Sequence, residues 1–396
     1  MTGGPRDRLI EAAGAVSETV LRRWAAEVDR EGRFPRESVA ALRDARLMGY
    51  FVPDRFGGFG GDLTTFSRIA AILGESCLST AMIWAMHGQQ VASLADHGEE
   101  SHGETLEEIA REGPVVGSVT SEYGKGGDLL TALAPLVARE SGYHVRRAAP
   151  VVTAGGEAGL YLVTMRAGED KPTSDVRLVC VRPGDGRITV EGGWDAMGMR
   201  GTTSVPMKFD VTVACERVLA TPFRAIALQS MIPVGHVGWV ASWFGAARGA
   251  VRRVIRGLRE GAAKGGRKLG SELLLERLAG IRVSLDLIES LLGRVASELD
   301  GLRRERAPFA AYQDIRLNLL INNLKVAGST LAFSVADRLI ELVGLNDGYL
   351  RRSELGLERT FRDLRSAALM FSNDRLLAAN GKLMLVESSG LSGLFG

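Results

Sequence analysis

Two histidines in apolar surroundings are the side chains of this sequence best suited to proton transfer near neutral pH. His87 lies in the apolar stretch 84–90 of a predicted helix, and His236 is also flanked by apolar residues. Imidazole titrates near neutrality, so either ring could act as an acid or a base in a buried site. A core histidine with satisfied hydrogen bonds is the commoner explanation for His87, and a histidine that only lines the start of a helix explains His236 equally well. His97 and His102 lie in a polar stretch, where exposure is expected.

A second chemical feature is a basic stretch in the C-terminal half. Its members are Arg252, Arg253, Arg256, Arg259, Lys264, Arg267 and Lys268. Guanidinium and ammonium groups bind phosphates and acidic surfaces. The stretch therefore predicts contact with a phosphorylated ligand or an acidic protein, although a solvated helix face is the more common use of such a pattern.

Other catalytic and binding patterns do not occur in the sequence. Cys77, Cys180 and Cys215 are widely spaced and form no CxxC pair, which excludes a disulfide framework and a cysteine zinc site. No zinc-type ligand cluster, phosphate-binding P-loop or GxSxG motif is present. The glycines of 124–128 are not a dinucleotide fingerprint, because no βαβ unit surrounds them. We expect no bound metal.

Composition limits the range of partners. The 49 basic and 47 acidic residues give a formal net charge of +2, too small for a global field that attracts nucleic acid or a membrane. The N-terminus lacks an apolar signal core, and no apolar run reaches the roughly 18 residues needed to span a bilayer. The sequence therefore predicts a soluble, cytoplasmic protein.

The elements that must position these residues follow from periodicity. Apolar residues recur every three or four positions from Leu9 to Val28, a second helix is predicted from Pro35 through Ala45, and a third from Leu63 to Leu94. A turn-rich stretch, 53–62, interrupts the pattern. A long apolar stripe, Leu317 to Leu342, marks a helix near the other end of the chain.

Between the two helical parts the pattern alternates with period two. The predicted strands are Tyr143–Val145, Leu160–Val163, Leu178–Val181, Ile188–Val190 and Met207–Val213. The fold class is therefore α+β, with an N-terminal helical domain (1–113), a middle β-barrel or sandwich domain (114–222) and a C-terminal helical bundle (223–396).

Five local patterns, in order along nearly the whole chain, resemble those of the acyl-CoA dehydrogenase superfamily. They are the turn 53–60 (Pro-x-x-Phe-Gly-Gly-x-Gly), the loop 120–128 (Thr-Ser-Glu-Tyr-Gly-Lys-Gly-Gly-Asp), the stretch 196–202 (Ala-Met-Gly-Met-Arg-Gly-Thr), the turn 344–349 (Gly-Leu-Asn-Asp-Gly-Tyr) and the segment 362–365 (Arg-Asp-Leu-Arg). Each pattern is weak alone, and their joint order carries the resemblance.

The resemblance implies flavin-dependent α,β-desaturation of an acyl thioester carried by CoA or an acyl carrier protein. In that reaction a carboxylate removes the α-proton while a hydride passes to the flavin. The carboxylate usually lies eight residues after the Arg-Asp pair, where this sequence has Phe371, which cannot accept a proton. Some members place the base near the start of the first long C-terminal helix, here at Gly235 beside His236. The resemblance therefore makes His236 the leading candidate base, with Asp374 and Glu341 as acidic alternatives.

The resemblance also implies cofactor and substrate contacts. Those at the flavin are Ser121, Glu122, Val151, Val152, Thr153, Arg267, Glu341 and Gly344, and those at the thioester are Gly127 and Phe371. A Trp-Ile-(Ser/Thr) strand of the family is Val-Val-Thr at 151–153, which keeps the hydroxyl and loses the aromatic ring. Glu341 places a carboxylate where the flavin phosphates would lie, and Arg267 or Lys264 replaces the arginine with which the family contacts the FAD of a neighbouring subunit. These changes imply FAD with altered contacts, FMN in its place, or no flavin.

Three functions stay open on the sequence. The first is a flavin-dependent oxidoreductase acting on an acyl thioester in specialised biosynthesis, with His236 as the base. The second is a monooxygenase that borrows reduced flavin, with His87 or Ser121 near the flavin, since related monooxygenases of this fold use a histidine in this region. The third is a non-redox, flavin-free protein on the same scaffold. The resemblance further implies a homo-oligomer, a tetramer or a dimer.

Overall fold

The computed structural model describes residues 4–263 and 269–386. Six helices form the first part of the chain: α1 (Pro5–Val16), α2 (Arg22–Glu31), α3 (Arg36–Asp44), α4 (Leu63–Ser76), α5 (Leu78–His97) and α6 (Glu99–Glu112). A π-helical turn, Ser17–Leu21, joins α1 to α2. The single long helix predicted after residue 62 is two helices, because Cys77 adopts an extended conformation between them.

Capping fixes where α4 begins. The Asp62 carboxylate accepts the Thr65 N–H at 2.7 Å, as an N-cap residue does. Asp300, from a distant helix, accepts the N–H groups of Leu63 at 2.6 Å and Thr64 at 2.9 Å. The donors at this helix end are therefore satisfied by two carboxylates, one of which joins α4 to the C-terminal part.

The middle part contains seven strands. They are β1 (Val116–Val119), β2 (Leu136–Arg139), β3 (Gly142–Val152), β4 (Leu160–Arg166), β5 (Val176–Val181), β6 (Gly186–Val190) and β7 (Val205–Val213). One sheet has the order β1-β4-β5 and the other β2-β3-β7-β6. The pair β1 and β4 is parallel, and the remaining pairs are antiparallel. All five predicted strands are confirmed.

Helices return after the second sheet. They are α7 (Phe223–Ile226), α8 (Ile232–Ala263), α9 (Glu272–Arg304), α10 (Phe309–Tyr312), α11 (Ile315–Gly344), α12 (Leu357–Arg365) and α13 (Asn373–Val386). By length and composition the stretch Ile315–Tyr349 is apolar enough to cross a membrane, and 44% of its most apolar window is buried. Core helices of soluble bundles meet the same criterion, so this feature alone indicates packing as readily as membrane insertion.

One junction ties the three parts together. Arg362 on α12 pairs with Asp29 on α2 at 2.6 Å and donates to the Met197 carbonyl, in the segment before β7, at 2.9 Å. The adjacent Asp363 is buried and accepts the Met199 N–H at 2.5 Å. A Cβ on Gly198 would overlap the Arg362 carbonyl, so glycine allows this close approach. The junction holds the β domain against both helical parts.

Candidate active site

His236 lies near the start of α8 and is completely buried. Its ring contacts Trp239, with centroids 5.4 Å apart, and Phe371, with centroids 5.3 Å apart. Neither ring nitrogen forms a well-oriented hydrogen bond within the described part of the chain. Burial, aided by the charge of Lys325, lowers the pKa of His236 to about 3. The imidazole is therefore neutral at physiological pH, and a weak contact with the Ile321 backbone opposes part of the shift.

Phe371 has backbone φ of 53°, in the left-handed region that a bulky residue rarely adopts. It follows a short 3-10 turn and precedes α13, and its half-buried ring faces His236. Strain of this kind costs on the order of 1–3 kcal/mol and gathers at functional sites. His236, the candidate base next to Gly235, thus contacts the residue that stands at the family's usual carboxylate position.

Lys325 is a member of this site that sequence reasoning missed. It is completely buried on α11, and its Nζ donates to the Asn373 carbonyl oxygen, Oδ1, at 2.7 Å. The ammonium also lies 5.8 Å from the ring centre of Trp243. Burial lowers the pKa of Lys325 to about 8, so a substantial fraction of its amine is neutral at physiological pH.

These side chains form what we call the His236 cluster: His236, Trp239, Trp243, Lys325, Phe371 and Asn373. The indole N–H groups of both tryptophans are buried without a hydrogen-bond partner, like the nitrogens of His236. No carboxylate pairs with Lys325 or His236 among the residues that the structure describes. Unpaired buried polar groups cost roughly 1–3 kcal/mol each unless a ligand or water satisfies them. The cluster is therefore donor-rich and suited to a polar ligand.

His87 has a different environment. Its Nε2 lies 2.7 Å from the Met48 carbonyl, and the Val116 N–H donates to Nδ1 at 3.0 Å. This pairing fixes a neutral ring with its proton on Nε2, and burial lowers the pKa of His87 to about 4. Both nitrogens are therefore occupied by backbone groups, and His87 makes no hydrogen bond to the His236 cluster. Its contacts are those of a structural histidine that joins α5 to β1.

The loop that contains Ser121 and Glu122 is held on β3 by buried polar contacts. The Glu122 carboxylate pairs with Arg147 at 2.5 Å and accepts the N–H groups of Leu133 and Ala134, each at 2.8 Å. The Ser121 hydroxyl donates to the Val151 carbonyl at 2.8 Å. Both predicted flavin contacts are therefore engaged in shaping the loop.

At the end of β3, the side chain of Val151 is 45% exposed whereas that of Val152 is completely buried. Val152 therefore offers a ligand only its backbone. The Thr153 hydroxyl lies 3.0 Å from that of Ser204. Nearby Thr203 has φ of 40°, and its buried hydroxyl has no partner in the described chain. The exposed apolar side chain of Val151 suits the face of a planar heterocycle.

Gly127 brings this loop to the His236 cluster. Its φ is 78°, and a Cβ there would overlap the guanidinium of Arg375 in the first turn of α13. Glycine is thus required by its conformation, while the Arg375 side chain could move aside. Since α13 begins two residues after Phe371, the loop and the buried cluster belong to one region. Asp374, an acidic alternative, is exposed.

The remaining predicted contacts lie elsewhere. Glu341 is exposed on α11, and Gly344 ends that helix with φ of 79°. Sixteen residues separate Glu341 from Lys325, about 24 Å along the helix axis, so one subunit does not bring Glu341 to the His236 cluster. Arg267 and Lys264 lie outside the described residues. No group of three or more potential metal ligands occurs within the described residues.

A helical domain, a two-sheet β domain and a helical bundle, with a buried cluster where the bundle meets a β-domain loop, define the class of acyl-CoA dehydrogenase-like proteins. Sequence profiles of the acyl-CoA dehydrogenase N-terminal and C-terminal domains match residues 6–112 and 226–371, together more than half of the chain. The chain belongs to the acyl-CoA dehydrogenase family of flavoprotein oxidoreductases. The predicted family and fold class are confirmed.

Individual relatives agree with this assignment. The chain is 24% identical over 349 residues to the probable acyl-CoA dehydrogenase YngJ of Bacillus subtilis, covering 86% of this chain and 87% of that protein. Butyryl-CoA dehydrogenase from Megasphaera elsdenii has a similar structure, with a TM-score of 0.83 at 19% identity, covering 97% of this chain and 99% of that one. FMN-bound TdsC from Paenibacillus sp. A11-2, a dibenzothiophene monooxygenase, has a TM-score of 0.85 at 20% identity, covering 96% and 97%.

Proposed function

We propose that this protein binds a flavin and oxidises an acyl thioester, with Lys325 and His236 handling the proton in place of the family's carboxylate. The observation that carries the proposal is the buried lysine beside His236 and Phe371. Its pKa of about 8 is close to the operating pH, as efficient acid–base catalysis requires. Family membership supports the oxidoreductase class, and YngJ and butyryl-CoA dehydrogenase are named for acyl-CoA substrates.

The β domain supplies residues that fit a flavin ring. Val151 would support one face of the ring, and the hydroxyl of Thr203 would gain the hydrogen-bond partner it lacks. The backbone of the loop 120–128 faces the same region. When bound, the flavin would accept a hydride from the substrate. Glu341 offers no favourable contact to a pyrophosphate, so we propose FAD with weakened phosphate contacts, or FMN.

The His236 cluster would manage the substrate proton. The neutral fraction of Lys325 can accept a proton at Nζ, and the resulting ammonium is stabilised by the Asn373 oxygen and by the face of Trp243. Neutral His236 can accept or donate a hydrogen bond to the thioester end of the substrate, and its low pKa makes it a weaker base than Lys325. In this arrangement His236 orients the thioester end of the substrate, and Lys325 accepts the proton.

We also propose that two or more copies of the chain associate, as a tetramer or a dimer in the cytoplasm. Large apolar side chains are exposed along two helices: Leu273, Val283 and Leu287 on α9, and Leu377 and Met384 on α13. Exposed apolar faces of this kind are usually covered by a partner. A second copy would cover them and could bring Glu341 and Gly344 to the neighbouring flavin.

A second candidate is a reduced-flavin-dependent monooxygenase. The specific observation in its favour is that the His236 cluster has several unpaired donors and no paired carboxylate in the described chain. A buried, donor-rich cluster without a carboxylate is less suited to removing an α-proton than to stabilising developing negative charge on oxygen. The structural similarity to TdsC, named as a dibenzothiophene monooxygenase, is consistent with it.

The experiment that separates these functions begins with visible spectra of the purified protein titrated with FAD and with FMN. The loaded protein is then mixed anaerobically with saturated acyl-CoA thioesters of increasing chain length. Bleaching of the flavin by one of them supports the oxidoreductase. Absence of bleaching, together with oxygen-dependent turnover when a reductase supplies reduced flavin, would favour the monooxygenase. A protein that binds neither flavin would contradict both and support a non-redox role.

A further inference from the structure

A separate cleft of about 620 Å³ lies between α2, α8 and α12. Eight arginines and five carboxylates line it, an excess of three positive charges. Arg256, one of the lining residues, lies 20 residues after His236 on the same helix, about 30 Å along its axis. The cleft is therefore distinct from the His236 cluster.

Several of the lining carboxylates are already neutralised. Asp29 and Glu358 both pair with Arg362, at 2.6 Å and 2.7 Å. Glu75 is held by Arg248 and Arg252, each at 2.6 Å, and neither of these arginines lines the cleft. Since arginines from outside neutralise Glu75, the charge within the cleft is more positive than its own residues alone suggest.

Several lining arginines lack such partners. Arg256 and Arg359 form no ion pair within the described part of the chain. Arg253 donates only to neutral acceptors, the carbonyls of Leu355 at 2.8 Å and Glu75 at 3.1 Å and the hydroxyl of Thr360 at 3.2 Å.

The pKa of Arg253 is lowered to about 10 by burial and by the neighbouring charges of Arg359, Arg22 and Arg256. Clustered cations of this kind are unfavourable to one another unless an anion lies between them.

We infer that this cleft binds a phosphate or pyrophosphate ester. Guanidinium groups bind phosphate oxygens with two parallel hydrogen bonds, and Arg253, Arg256 and Arg359 approach the cleft from two helices. A small ligand fits better than an acidic protein, because Arg253 lies partly buried within a concave site. The basic stretch noted in the sequence is thus only in part a solvated helix face.

The test is calorimetric titration of the full chain with sodium pyrophosphate at constant ionic strength, with sulfate as a reference anion. We expect one saturable site. Arg256→Gln combined with Arg359→Gln should weaken binding roughly 30-fold or more, because each removes a charge-assisted hydrogen bond. The matched control combines Arg259→Gln, also on α8, with Arg352→Gln, in the segment before α12. Neither control residue lines the cleft, so this variant should change affinity less than about twofold.

Equal losses in the two double variants, or no saturable binding, would overturn the proposal. So would displacement of pyrophosphate by poly-glutamate but not by ATP, since that result identifies an acidic protein surface. If the double variant does not fold, the exposed Arg256→Gln alone is compared with Arg259→Gln. Repeating the titration on flavin-loaded protein separates two sources of the phosphate. Lost binding indicates the cofactor's own phosphate, and retained binding indicates a separate phosphate ester. The pyrophosphate result does not depend on whether a flavin binds.

Discussion

At the scale of single residues, the proposed exchange of a carboxylate base for Lys325 changes which protonation state of the base is charged. A carboxylate becomes neutral when it accepts a proton, whereas an amine becomes cationic. The cation must then be tolerated in a buried site, and the Asn373 oxygen and the Trp243 ring are placed to do so. The Phe371 ring has no group that could accept a proton, and it packs against His236.

A pH dependence follows from Lys325. Its pKa of about 8 means that the neutral amine increases as pH rises through that value. Flavin reduction by an acyl thioester should therefore accelerate across this range and then level off. Lys325→Met should lower the rate on the order of a hundredfold and remove this limb of the profile. Stopped-flow flavin bleaching measures both.

The matched control for that prediction is Lys171→Met, on an exposed turn of the β domain. Methionine replaces the buried amine with an apolar side chain of similar length, so the fold should keep its stability. An unchanged pH profile in Lys325→Met would rule out the assigned role.

Three histidines are buried, and one of them is His102, for which the sequence predicts exposure. His87 and His236 should share one effect on stability and differ in their effect on the reaction. Folding lowers the pKa of His87 to about 4 and that of His236 to about 3, below the unfolded value of 6.5. Their contribution to stability is therefore present above pH 6.5 and is lost as pH falls toward those folded values. His87→Gln and His236→Gln should each reduce the loss of stability in acid, as measured by urea unfolding at several pH values.

Only His236→Gln should also slow flavin reduction, because His87 is fully engaged by Met48 and Val116. His87→Gln should instead lower the free energy of unfolding at neutral pH by about 1–3 kcal/mol. Slow turnover in a stable His87→Gln protein would contradict the structural role.

Sequence patterns led to His236 and Phe371 because a family resemblance places the base there. They did not lead to Lys325, although a signal exists. Lys325 falls on the apolar stripe of α11 between Ile321 and Gly328, at helical spacing. A lysine within an apolar helix face can be predicted to be buried only if the residue that accepts its hydrogen bond is known. That partner, Asn373, is 48 residues away in the chain.

At the scale of elements, glycines allow α4 and α8 to pack unusually closely. A Cβ at Gly74 would overlap the Ser242 carbonyl, and one at Gly245 would overlap the Ala71 carbonyl. Gly249 would meet Glu75 in the same way. This close contact fixes the direction of the α8 axis and therefore the position of His236.

Alanine substitutions test that contact. Gly245→Ala should destabilise the protein by roughly 3 kcal/mol or more, because backbone atoms cannot move aside. Gly261→Ala lies on the same helix with open space around it and should stabilise by up to about 1 kcal/mol. Thermal unfolding of the pair measures the difference, and a Gly245→Ala protein as stable as Gly261→Ala would show that the helices can separate at little cost.

Elements with strong hydrophobic periodicity could be predicted from the sequence, whereas short elements with weak periodicity could not. The five predicted strands alternate clearly, whereas β1 and β2 are only four residues long and depend on pairing with β4 and β3. The break between α4 and α5 occurs at Cys77, a position without the glycine or proline that would predict it. Such features are set by tertiary contacts, which a local pattern does not contain.

At the scale of the whole molecule, the junction around Asp363 makes stability depend on pH. Burial raises the pKa of Asp363 to about 6, above the unfolded value near 3.8. The stabilising contribution of its protonated form is therefore full below the unfolded value and is lost as pH rises through the folded one. Asp363→Asn keeps an oxygen for the Met199 N–H and removes the buried charge.

The Asp363→Asn variant should gain about 1–2 kcal/mol of stability relative to the parent as pH is raised from about 5 to about 8. Urea unfolding at the two pH values measures this gain. Asp347→Asn, exposed in the π-helical turn after α11, is the control and should show no such gain. A parent whose stability does not fall relative to Asp363→Asn would show that the carboxyl is ionised without penalty.

The same junction has a consequence for how the chain is made. Asp29 emerges from the ribosome early, but its partner Arg362 lies 333 residues later. The N-terminal cap of α4 is likewise complete only after Asp300 has been synthesised, and its apolar face is covered only after α8 has been synthesised. During synthesis the first helical domain is therefore exposed and incompletely bonded for most of translation. We expect nascent chains truncated before α12 to be sensitive to protease and to bind chaperones, and protection to appear only when the last helices are released.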